Sequence, residues 1–153
     1  DIRPEQAEGA KIHINDMCYR RGDNPEDYYI KESGNVHLNG TQAVAYARIR
    51  YVGNSDYERT ERQRKVLQQI FMQVKELNLL ELNDFANNAL PYITHNITEG
   101  ELISLLASLP SVVTYGIDLD RIPYDGSYSV SGEMLVPDFP ATIQRLQERI
   151  YAQ

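Results

Sequence analysis

The stretch that most limits what this chain can become runs from Asp56 to Leu77, where apolar residues recur at helical spacing. Ser55 or Asp56 can cap such a helix, and Asp56, Glu58 and Glu61 suit the positive end of its macrodipole. Take a helical wheel of about 100° per residue, with Arg59 at zero. Val66, Leu67, Ile70, Phe71, Val74 and Leu77 then fall between about −20° and 120°. That arc must face a core. Arg59 and Gln63 stand inside it, Arg62 stands near its edge, and Arg64 and Lys65 point elsewhere, toward solvent.

An inward arginine is chemically demanding. A buried guanidinium without a partner is very costly, so Arg59 in that arc requires an anion or a wet cleft. The preceding "RIRYV" reads as a strand, which would put Arg48 and Arg50 on one face. If that strand lies beside the helix start, several guanidiniums and the Gln63 amide converge at a helix N-terminus. Bidentate arginine geometry and the helix dipole both favour phosphate there. Asp56 in the same turn would neutralise an arginine or hold a divalent cation bridging to the phosphate. The plainer alternative pairs Arg59 with Asp56 at i, i+3 and leaves Arg48 and Arg50 on a solvent face.

Charge sharpens the contrast. The 153 residues carry 15 Lys+Arg against 22 Asp+Glu, a net charge of −7. Residues 48 to 65 nevertheless hold Arg48, Arg50, Arg59, Arg62, Arg64 and Lys65 against only Asp56, Glu58 and Glu61. An acidic chain without a broad basic face is not expected to bind nucleic acid, but it leaves room for one focused anion site.

The rest of the chain reads as one domain over residues 1–153. Residues 1 to 37, with "RRGDNPEDYY", read as a turn-rich surface excursion between short strands. "LNGTQAVAYA" reads as a short helix capped by Asn39. "LELNDFANNAL" reads as a helix ending near Pro91. Thr98 and Glu101 form a capping box for a helix over 99–109. "SVVTYGIDL" and "YSVSGEMLVP" read as strands, with "PYDG" as a turn between them. Asp138 caps a last helix with the stripe Phe139, Ile143, Leu146 and Ile150, the pattern of a helix lying on a sheet. These elements predict an α+β fold, with a mixed central sheet flanked by helices in a three-layer αβα arrangement. Cys18 is alone, so it forms no intrachain disulfide and reads as a small core side chain. No stretch approaches the ~18 apolar residues of a membrane span, and no signal peptide opens the chain. A chain that starts on Asp1 rather than Met reads as a piece of something longer.

The stretch "HLNGTQAVAYARIRYVGNSDYERTERQRKVL" resembles the signature of the LytR–CpsA–Psr family of cell-envelope proteins. The matching residues are Leu38, Asn39 and Gly40 at a helix start, then Ala43, Tyr46, Arg48 and Arg50, then Asp56, Tyr57, Arg59, Arg62 and Gln63. The tail "RIPYDGSYSVSGEMLVPDFPATIQRL" resembles the family's C-terminal strand pair and last helix. The resemblance implies an extracytoplasmic domain, membrane-anchored in the full-length protein through an N-terminal segment, while this chain itself is soluble. It implies transfer of glycopolymers such as teichoic acid or capsule from an undecaprenyl-pyrophosphate carrier to peptidoglycan, by a magnesium-dependent phosphotransferase.

Carried over residue by residue, the resemblance implies that Arg59 and Gln63 act at the reaction centre, that Arg48, Arg50 and Arg62 bind substrate, and that Asp56 holds Mg2+. A hydrophobic pocket for the polyprenyl tail is implied too, with residues 66–77, 81–90 and 101–109 as candidate walls. The family's domain begins with a further segment bearing functional Asp and Arg residues, including a second metal-binding carboxylate. This chain starts after it and is expected to be inactive alone. Two other readings are a non-catalytic envelope domain that binds polyprenyl phosphate or sugar polymer, and a transcriptional attenuator.

Overall fold

The computed structural model describes residues 1–151 apart from 54, 95, 113, 114, 117, 118 and 133, and describes only the backbone at 55, 56, 79, 99, 102, 106, 109, 110 and 112. The chain forms two compact units, Asp1–Tyr115 and Gly116–Gln153.

The first unit opens with a helix where turns were expected. Helix α1 spans Pro4–Arg21, with proline at its first position and a Gln6 carboxamide reaching back to the Arg3 N–H at 3.0 Å. Ala7, Ala10, Ile14 and Cys18 are its buried stripe, at spacings of three and four. The Gly, Asn and Pro punctuation of 22–25 drew attention away from that stripe. The punctuation is nonetheless real: Gly22 ends α1 at φ 76°, and a short 3-10 turn follows at Pro25–Tyr28. The Ile2 and Gly34 backbones exchange two hydrogen bonds of 2.7 Å, closing the segment between them.

Helix α2 spans Gly40–Arg48, and Asn39 caps it as expected, exchanging hydrogen bonds with Gln42. Ala45, Tyr46 and Ile49 join the α1 stripe, Ile2 and Ile30 in one core. The strand expected at "RIRYV" is absent: Arg48 is the last residue of α2, and residues 51–53 form a bend. Arg48 and Arg50 therefore do not share a strand face. Capping by Asn39 and tight packing on α1 decide the matter, because they carry the helix through the first residue of that run.

Helix α3 spans Ser55–Val74, and α4 spans Leu79–Ala89 with Asn78 as its cap. Helix α5 spans Glu99–Val112, with the Thr98–Glu101 capping box in place. It extends over Ser111 and Val112, which were expected in a strand; most of the remainder of that strand lies outside the described residues.

In the second unit, "YSVSGEMLVP" is not one strand but an antiparallel pair, β1 (Tyr128–Ser131) and β2 (Met134–Pro137), in register from Tyr128–Pro137 to Ser131–Met134. Helix α6 spans Phe139–Tyr151, and the Asp138 carboxylate accepts from the Ala141 N–H at 3.1 Å. Its inward residue is Thr142, while Phe139, Ile143 and Ile150 of the expected stripe are exposed. Tyr124 is buried, with the Arg145 guanidinium 4.5 Å from its ring centre. The class is α+β, as expected. Among the described residues, however, the only sheet is this two-stranded one, so the central sheet and three layers are not seen.

Candidate functional site

The residues the sequence points to gather around the corner that joins α2 to α3: Arg48 ends α2, Arg50 follows it, and Asp56, Arg59, Arg62 and Gln63 stand in the first three turns of α3. Arg48 closes α2, where a cation suits the negative end of the helix dipole. Its guanidinium lies 3.6 Å from an Asp16 oxygen on α1, and the other oxygen of Asp16 accepts from Arg20 at 3.1 Å. The His13 ring, also on α1, hydrogen-bonds to the Arg48 backbone. Burial, and secondarily the Arg48 charge, lower its pKa. Arg50 is exposed. Asp56 lies in the first turn of α3; its side chain, and hence its expected metal role and its alternative pairing with Arg59, lie outside the described residues.

Arg59 and Gln63 adjoin at i, i+4 on one stripe of α3, but that stripe does not face the core. Arg59 is half-buried and Gln63 is exposed. The inward guanidinium belongs to Arg62, whose side chain is 2% exposed. Relative to the wheel drawn from sequence, α3 is turned so that Arg62 leads and Val66, one turn on, packs against the core, while Leu67 and Ile70 stay exposed. The heavier demand therefore falls on Arg62, and the protein meets it at the two terminal nitrogens, while Nε is buried without a hydrogen-bond partner among the described residues. Arg62 Nη2 donates to the Ile49 carbonyl at 2.6 Å, and Nη1 donates to Glu58 at 3.2 Å. Arg62, expected to bind substrate, makes both of these bonds within its own chain.

Glu58 is the hub of this network, and the sequence reading overlooked it. The same oxygen accepts from Arg3 Nη2 at 2.7 Å, which ties α3 to the residue before α1. This bond is the main cause raising the Arg3 pKa. The Glu58 carboxylate rests against Gly53, at φ 78°, where a Cβ would overlap it. Gly9 does the same service for α1: a Cβ there would stand 2.7 Å from Val52 Cγ2 and 3.2 Å from Ile49 Cγ2. The i, i+4 spacing of Glu58 and Arg62 was a visible signal for the pair. Nothing local in the sequence pointed to Arg3.

Two cavities flank the inner side of α3. One, of about 230 Å³, is lined by Arg3, Gln6, Tyr46, Glu58, Glu61 and Arg62, among others. The other, of about 430 Å³, is lined by Val36, Leu38, Val66 and Ile70 together with the amides Asn35 and Gln69, among others. Of the three stretches expected to wall an apolar pocket, only the first contributes to it. Among the described residues, no three metal-ligating side chains gather, and no helix is long and apolar enough to cross a membrane. Glu61 pairs with Lys65 at 2.8 Å, so its carboxylate, like that of Glu58, is already engaged.

Against known proteins, residues 5–149 match the model of the LytR_cpsA_psr family. A 54-residue stretch is 46% identical to the polyisoprenyl-teichoic acid–peptidoglycan teichoic acid transferase TagU of Enterococcus faecalis. That stretch is 35% of this chain and 18% of the relative, so the likeness covers a minor part of the relative's length. No solved structure matches the chain.

Proposed function

Because the chain belongs to the LytR_cpsA_psr family, we propose that it is part of a transferase that moves an anionic cell-wall glycopolymer from a polyprenyl-pyrophosphate carrier to peptidoglycan. The supporting observation is the α2–α3 corner. Its family-signature residues Arg48, Arg50, Arg59 and Gln63 have solvent-reaching surface, whereas Arg62 turns inward. The related transferase carries polyisoprenyl-teichoic acid and peptidoglycan in its name, which supports the substrate class.

In this reading Arg48, Arg50 and Arg59 hold the pyrophosphate, assisted by the positive end of α3. An acceptor sugar hydroxyl attacks the polymer-side phosphorus. A new P–O bond forms, the bridging P–O bond breaks, and the released polyprenyl monophosphate carries off the proton. Arginines aimed at the phosphate oxygens stabilise the charge that develops there, and losing one such donor typically costs about 10²–10³ in rate. Gln63, one turn from Arg59, orients an oxygen of the same group. Asp56, whose side chain lies outside the described residues, would be the protein ligand to magnesium, since Mg2+ commonly takes one or two carboxylates with phosphate oxygens and water. When bound it would supply further charge neutralisation on the phosphates. The extracytoplasmic location and membrane anchor of the full-length protein belong to the same proposal.

The test is polymer attachment in cells whose only copy is the full-length protein with Arg59→Ala. Attachment should be lost while the protein accumulates at normal levels. Normal attachment would overturn the reading.

A further inference from the structure

We propose that Arg62 is a positioning residue and not a substrate ligand: its buried guanidinium and the partly exposed Glu58 form a clamp that sets the shape of the corner between Arg48 and Arg59. The consequence for substrate rests on the pyrophosphate reading above; the clamp itself does not.

The geometry carries this. The Ile49 carbonyl belongs to the residue that caps α2, where backbone acceptors lack intrahelical partners. Arg62 reaches it from the second turn of α3 at 2.6 Å, so one charge-assisted hydrogen bond spans the whole corner. Glu58 neutralises the guanidinium and is itself held by Arg3. Gly53, inside the corner, leaves the space that the Glu58 carboxylate fills. A phosphate placed on Arg62 would face that carboxylate, 3.2 Å from Nη1, and be repelled by it. Lysine cannot substitute, because a single ammonium lacks the planar fork that serves Ile49 and Glu58 together.

The experiment uses this chain with Arg62→Lys and, since that variant can fail to fold, Glu58→Gln. Amide hydrogen exchange is followed by mass spectrometry over 49–58 and over α1, and inorganic pyrophosphate is titrated calorimetrically. The clamp predicts exchange at 49–53 at least about tenfold faster, with the α1 amides within about twofold of the parent. It also predicts that Glu58→Gln weakens pyrophosphate binding about tenfold, although that change removes a negative charge. If Arg62 were a ligand, removing the competing carboxylate would tighten binding. Unchanged exchange at 49–53, tighter or unchanged binding in a folded Glu58→Gln variant, or acceleration that spreads equally into α1 in both variants would each overturn the proposal. If the parent chain binds no pyrophosphate, the substrate reading loses its support, and the exchange pattern alone decides the clamp.

Discussion

Arg62 Nη2 and the Ile49 carbonyl stand 2.6 Å apart, so a side chain from α3 fastens the end of α2. The guanidinium that makes this bond is almost wholly buried, and Glu58 supplies its countercharge. Breaking a buried pair by removing one member leaves an uncompensated charge, which is worse than never having had the pair.

Glu58→Ala should therefore be expensive. With Arg62 left on the Ile49 carbonyl alone and Arg3 released, a loss of about 2–3 kcal/mol is expected in urea unfolding, discounted because Glu58 is partly exposed. Glu61→Ala three residues on provides the comparison. It removes an exposed i, i+4 pair with Lys65 and should change stability by less than about 0.5 kcal/mol.

Gly53→Ala should separate a conformational cost from a steric one. Gly53 and Gly22 have nearly the same φ, 78° and 76°, so alanine meets a similar left-handed penalty of about 1–2 kcal/mol at each. At Gly22 a Cβ has open space, whereas at Gly53 it strikes the Glu58 carboxylate. Thermal or denaturant unfolding should show Gly53→Ala as the more damaging of the two, by about 1 kcal/mol or more.

His13 gives a pH dependence with a definite sign. Its folded pKa lies below the ordinary value of about 6.5, first through burial and then through Arg48. The unfolded chain therefore binds more protons in this window, and stability rises with pH. Stability should be undiminished above about pH 7 and should fall as pH drops through about 6.5 toward the folded pKa. Denaturant midpoints at several pH values from 5 to 8 should show that slope, and His13→Gln should flatten it. The lowered carboxyl pKa of Glu61, held down chiefly by its hydrogen bond to Lys65, acts only below about pH 4.5 and leaves this window clear.

What was legible in the sequence was local. Asn39, Thr98 and Asp138 announce helix starts through contacts no more than three residues long, and the structure has a helix after each. Helix α1 carries only a weak signal of its own, because Ala7, Ala10, Ile14 and Cys18 are few and mostly small, while Gly22, Asn24 and Pro25 give strong turn signals beside it. The phase of α3 was misjudged for a different reason. A wheel assumes that apolar residues choose the buried side, yet Leu67 is 64% exposed while Arg62 is 2% exposed. Arg62 goes inward because Glu58 and Ile49 engage its two terminal nitrogens, and the Ile49 carbonyl lies thirteen residues away. The family signature located the corner without that knowledge. The division within it, between guanidiniums with solvent-reaching surface and one that turns inward, came only from three dimensions.

The central claim is that the half-buried and exposed arginines of this corner hold a pyrophosphate. Calorimetric titration of a polyprenyl pyrophosphate into the full-length protein, with and without Arg59→Ala, tests it most directly. The account predicts saturable binding that weakens at least about tenfold, roughly 1.4 kcal/mol, in a variant with unchanged melting temperature. Equal affinity in the two proteins would contradict it.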